Sequence, residues 1–79
     1  MARSEDVEKL LIEVRRQRDE AESEAAHARD RLARIASGIT PLAEVSAEEV
    51  EGTADDFAAA VRRLKLLDDF AARMRRLLI

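Results

Sequence analysis

VEKLLIEVRRQRDEAESEAAHARDRLARIASGI, residues 7–39, sets its seam residues in alternating steps of four and three. The seam is Val7, Leu11, Val14, Arg18, Ala21, Ala25, Ala28, Leu32, Ile35 and Ile39, with Arg18 the one charged member. A spacing that averages about 3.5 residues keeps one stripe of a helix turned toward a single partner helix. The second half does the same with Val50, Thr53, Phe57, Ala60, Leu64, Leu67, Ala71, Met74 and Leu78. Two such stripes in 79 residues predict an all-α fold. The expected form is an antiparallel hairpin of two long helices with a coiled-coil-like seam.

Local signals bound the helices. Ser4 reads as an N-cap, with Glu5, Asp6 and Glu8 set against the positive end of the helix dipole. No Gly or Pro follows until Ser37-Gly38-Ile39, which reads as a Schellman stop with Ile39 making the accompanying apolar contact. The first helix is therefore expected over 4–36 and the connector, with Pro41, over 37–45. Ser46 and Glu49 form a capping box and Val45 and Val50 a hydrophobic staple, so the second helix is expected over 46–79. Gly52-Thr53 leaves two readings open: one helix continuous through Gly52, with or without a kink there, favoured by the phase of Val50, Phe57 and Leu64, or a break with Thr53 as a second cap. The 79 residues read as one helical-hairpin domain.

Folding the hairpin about residue 41 pairs positions whose numbers add to roughly 82. Ala21, Ala25 and Ala28 then face Val61, Phe57 and Ala54, small against large in the first two pairs, and Leu11 and Val14 fall near Ala71 and Leu67. The stripe of the second helix is broadened by Val61, Leu66, Phe70 and Leu77, and Leu10 and Ile12 flank that of the first. The end where the two termini meet thus gathers a concentrated apolar patch, which also includes Ile79. A core this small rarely supplies more than roughly 3–5 kcal/mol, and with no cysteine neither disulfides nor thiolate metal sites can add to it. Oligomerisation remains, and the expected assembly is a dimer that closes a four-helix bundle. The candidate interface residues are Leu10, Leu11, Phe57, Leu64, Phe70, Met74, Leu77 and Leu78.

Chemistry finds few residues to work with. His27 is the single histidine, and with Glu20 and Glu24 it makes only a loose approximation to a metal-ligand set. The four serines and two threonines stand at caps, turns or polar helix positions with no base beside them, and no glycine-rich phosphate loop exists. No catalytic, cofactor-binding or metal site is expected, so the chain reads as a non-enzyme without a small-molecule substrate. Arg18 reads as a long stem lying over the seam whose head reaches Asp19, Glu22 or solvent, rather than as a register-setting polar core position.

The net charge of −3 conceals an uneven distribution. Residues 37–56 hold six acids and no base, and the stretch from Phe57 onward holds six bases and two acids. Arg62, Lys65, Arg73 and Arg76 form an outward stripe, interrupted by Asp69, that is a candidate for phosphate contacts. Without Tyr or Trp no base-stacking platform accompanies it. The leading expectation is a protein–protein interaction or oligomerisation module, an adaptor, scaffold or small regulatory protein whose partner is itself or another helical protein. A nucleic-acid-associated regulator using the stripe is the alternative. Neither a signal-peptide core nor a membrane-spanning run is seen, so a cytoplasmic setting is expected. Twelve arginines against two lysines suggest a GC-rich bacterial or phage genome.

Overall fold

The computed structural model describes the backbone from Ala2 to Leu78 and the side chains from Glu5 to Leu78. Helix α1 spans Ala2–Ala36 and helix α2 spans Ala47–Arg76, with a single 3-10 turn at Leu42–Glu44 between them. The helices pack against each other along their length. Arg31 pairs with Glu49, and Arg18 with Asp68. The order of these contacts is antiparallel, but the register is shifted from the expected one. Val61 and Ala54, expected to face Ala21 and Ala28, are exposed, and Glu24 lies beside Arg63. The result is a rod of 60 × 15 × 14 Å. Its radius of gyration of 17.5 Å exceeds the roughly 12 Å of a compact chain this long.

The first helix begins earlier than Ser4, whose side chain lies outside the described residues. Ala2 and Arg3 are strong helix formers, so nothing opposes adding a turn before it. At the other end Gly38 takes φ +82°, the left-handed region that glycine enters without penalty. Its N–H donates to the Ile35 carbonyl at 3.2 Å, as a Schellman stop requires. The outer bond differs: Thr40, not Ile39, donates to Arg34 O at 3.2 Å. The turn is one residue wider, and Ile39 is left 74% exposed instead of making the expected apolar contact.

The second helix starts on Ser46, whose hydroxyl oxygen accepts the Glu49 N–H at 3.1 Å. The Glu49 carboxylate does not complete a capping box; it accepts from Arg31 across the hairpin at 3.2 Å. Val45 and Val50 are both half-buried. From Ala47 the helix is continuous through Gly52. Thr53 does not cap a new helix, because its hydroxyl donates back to the Glu49 carbonyl at 2.8 Å. The helix ends at Arg76, and Leu77 and Leu78 close the last turn with short bonds to Met74 and Arg75. Ile79 lies outside the described residues.

The core is the seam. Its buried members are Val14, Ala21, Ala25, Ala28, Ala60 and Ala71, and Val14 alone is larger than alanine. Val7, Leu11, Leu32, Ile35, Val50, Phe57, Leu64, Leu67 and Met74 are half-buried, while Ile39 and Leu78 at the ends of the seam are exposed. No helix among the described residues is long and apolar enough to cross a membrane.

Two substitutions test the α2 assignment. Ser46→Ala should cost about 0.5–2 kcal/mol, because one first-turn N–H loses its acceptor. Gly52→Ala should stabilise by up to about 1 kcal/mol, since the position is helical and an added Cβ meets nothing within 4 Å. Thermal and urea melts read both, and destabilisation by Gly52→Ala would mean that the helix is not continuous there.

Candidate interaction faces

Each helix carries one flank of side chains on either side of the seam, and the ion pairs identify which flanks adjoin. Arg63 lies 3.9 Å from Glu24 and 4.0 Å from Glu20. Positions seven apart share a helix face. Glu24, Gln17 and Leu10 therefore form one row on α1, and Arg63, Phe70 and Leu77 the adjacent row on α2. Read from the connector toward the termini, this side passes from charge (Glu24 beside Arg63) through Gln17 beside Phe70 to Leu10 beside Leu77. The opposite side carries Arg18, whose Nε donates to Asp68 Oδ1 at 2.5 Å while Nη1 reaches Glu22 at 3.2 Å.

The eight candidate interface residues divide between seam and surface. Leu11, Phe57, Leu64 and Met74 are half-buried in the seam, while Leu10, Phe70, Leu77 and Leu78 stay exposed. Leu77, at 71%, is as open as the outward-facing Leu66. Leu10, Phe70 and Leu77 lie on one side of the rod at its open end. Helical period alone gives the angle of each residue from its own seam. Which flank of α1 adjoins which flank of α2 follows only from the paired helices.

Two grooves flank the seam. The larger, about 570 Å³, lies on the Glu24–Arg63 side with Ala28, Ala59 and Ala60 in its lining and Arg31 and Asp56 on its rim. The smaller, about 440 Å³, is on the Arg18–Asp68 side, where Ile12 and Arg75 also contribute. In the larger groove the small side chains of Ala28 and Ala60 leave the space beside the seam open. His27 is exposed and belongs to the larger groove. Glu20 and Glu24 are engaged with Arg63, and Glu20 with Arg16 as well. No three His, Asp or Glu side chains among the described residues converge to hold a metal ion.

Arg62, Lys65, Arg73 and Arg76 are all exposed on the outer face of α2, and none forms an ion pair among the described residues. Asp69 lies among them on the same face. Ion pairs are concentrated on α1 instead. Arg16 bridges Glu13, at 2.5 Å, and Glu20. Hydrogen bonds from Arg16 and then Gln17 lower the Glu13 pKa to about 2. Hydrogen bonding to Asp68, reinforced by its charge, raises the pKa of Arg18.

Comparison with known protein families, characterised proteins and solved structures finds no match.

Arg18 and Asp68 approach to 2.5 Å across the pair, yet their side chains are 41% and 53% exposed. Solvent screening keeps such a pair weak. A double-mutant cycle with Arg18→Met and Asp68→Asn, read by urea unfolding, should return a small favourable coupling that shrinks with added salt. For Glu13 the folded pKa lies below its ordinary value of 4.5. Its contribution is thus complete above 4.5 and is lost as pH falls toward about 2. Glu13→Gln should remove the part of the helicity change that falls in this acid window, as circular dichroism against pH would reveal.

Proposed function

We propose that this chain is a protein–protein interaction module, built to complete its hydrophobic core by packing its open end against further helices. The observation that carries the reading is the mismatch between core and surface. Among the described residues, five of the six buried core residues are alanines and no large side chain is fully buried. Burial contributes about 0.8 kcal/mol per methylene, so an alanine seam gains little against the entropy of ordering a chain this long. The large apolar groups that could contribute more, Phe70, Leu77 and Leu78 with Leu10, are left at the surface. A hairpin in this condition functions as half of a helical bundle.

Such a module suits a small adaptor, scaffold or regulatory subunit in the cytoplasm, joined to itself or to another helical protein and needing no cofactor. A second reading draws on the outer stripe of Arg62, Lys65, Arg73 and Arg76, which forms no ion pair among the described residues, as phosphate contacts. It predicts nucleic-acid binding that weakens steeply with salt, and a titration at two salt concentrations tests it. The apolar end favours the first reading, because exposed basic residues are ordinary on a solvated helix and a cluster of large apolar residues is not.

The double change Leu77→Glu with Leu78→Glu places two charges in the proposed contact. It should abolish association and lower the melting temperature of the associated state. Sedimentation equilibrium and circular dichroism at micromolar concentration read both. A clean 8.9 kDa monomer that melts cooperatively, at the same temperature with and without these changes, would overturn the reading.

A further inference from the structure

We infer that the Glu24–Arg63 side of the rod is a self-complementary interface. A second copy of this chain binds there, side by side, with its termini at the same end and a two-fold axis parallel to the helices. The inference rests on the interaction reading above and names its partner.

Area supplies the first argument. The chain exposes 6261 Å², whereas a compact monomer of its mass exposes about 4,800 Å². The surplus from two copies, about 2,900 Å², falls within the 2,000–5,000 Å² that obligate homodimers bury. The rod lacks one face's worth of cover, and a second rod of the same length can supply it.

Charge supplies the second. On this side two successive tiers, about 10 Å apart, carry opposite patterns. The first has Glu24 on α1 beside Arg63 on α2. The second has Arg31 on α1, with Asp56 on α2 lining the same groove. The four signs form a checkerboard. A two-fold axis along the rod sets each α1 against the partner copy's α2, so that negative meets positive at all four positions. An in-plane axis perpendicular to the rod also matches the four signs, by setting α1 against α1. A diagonal axis sets like charges together.

The apolar end chooses between the two matching arrangements. With the axis along the rod, the Leu10 row meets the Leu77 row and the Gln17 row meets the Phe70 row. With the perpendicular axis, Phe70 and Leu77 would meet the connector end, where residues 37–56 hold six acids and no base. Burying apolar groups against carboxylates removes hydration from the charges and returns no pairing. The parallel two-fold satisfies every tier. It yields a four-helix bundle in which each neighbouring pair of helices is antiparallel.

Charge reversal in separate chains tests this arrangement. A Glu24→Arg chain and an Arg63→Glu chain should each dimerise more weakly than the native chain. Mixed in equal amounts they should associate at least about tenfold more tightly than either alone, because each altered position then meets its opposite sign. The double reversal in one chain, Glu24→Arg with Arg63→Glu, should dimerise as the native chain does. Circular dichroism on the same samples verifies that the helices persist.

If mixing gives no recovery and the double reversal loses the dimer, the orientation is wrong. A dimer indifferent to all three variants would overturn the face. A native chain that is monomeric in sedimentation overturns the second copy as partner, and its melt then decides the broader reading. A broad, weak transition leaves a hairpin that needs some other helical partner, whereas a cooperative one, unchanged by Leu77→Glu with Leu78→Glu, removes the interaction module as well.

Discussion

The structure depends on the small size of the side chains between its two helices. Ala21, Ala25 and Ala28 on α1, with Ala60 and Ala71 on α2, are all but one of the buried residues of the seam, and the sixth is Val14. Small side chains allow close axial approach, and close approach leaves nothing bulky at the centre to fix a fold by itself. The same choice opens the groove on the Glu24–Arg63 side. Leu10, Phe70, Leu77 and Leu78 meanwhile stand exposed toward the open end. The rod shape, the surplus surface and this groove accompany one another.

Electrostatics supplies the direction that alanine cannot. Each helix has acids in its first turns and bases in its last, the arrangement that offsets its dipole. In an antiparallel pair this also sets the acidic start of one helix beside the basic end of the other. The Arg31–Glu49 contact at 3.2 Å realises that match near the connector. A parallel pairing would bring acid to acid and base to base, so the charges that stabilise each helix locally also disfavour the competing topology. Exposed pairs contribute little stability individually, and their larger effect here is on orientation.

Much of this architecture is legible from periodicity and punctuation. All six buried residues lie on the two stripes that the four-three spacing defines, and Gly38 and Ser46 mark ends that their chemistry requires. Three features escape a linear reading, each for a physical reason. Arg18 donates to Asp68 across the pair rather than to its own helix neighbours alone, because the register sets an acceptor within reach of its long stem. Ile39 is exposed because the outer bond of the turn passes to Thr40, a one-residue choice that composition does not reveal. The association of the Leu10 row with the Leu77 row depends on which flanks adjoin, a property of two helices together.

The placement of the apolar end follows from where a hairpin is weakest. At one end the connector holds α1 and α2 together covalently, so their local concentration is high and charged residues suffice. At the other end no connector joins the helices among the described residues, and helix ends fray at low cost. Leu10, Phe70, Leu77 and Leu78 stand exposed toward that end, where apolar contact with a partner would substitute for covalent closure. Alone, the hairpin leaves those residues at its surface. Contact with further helices would therefore do two things at once, building an assembly and closing the hairpin's own open end. Binding that favours the folded form stabilises it by mass action, so in such a module folding and association are coupled at the same few residues.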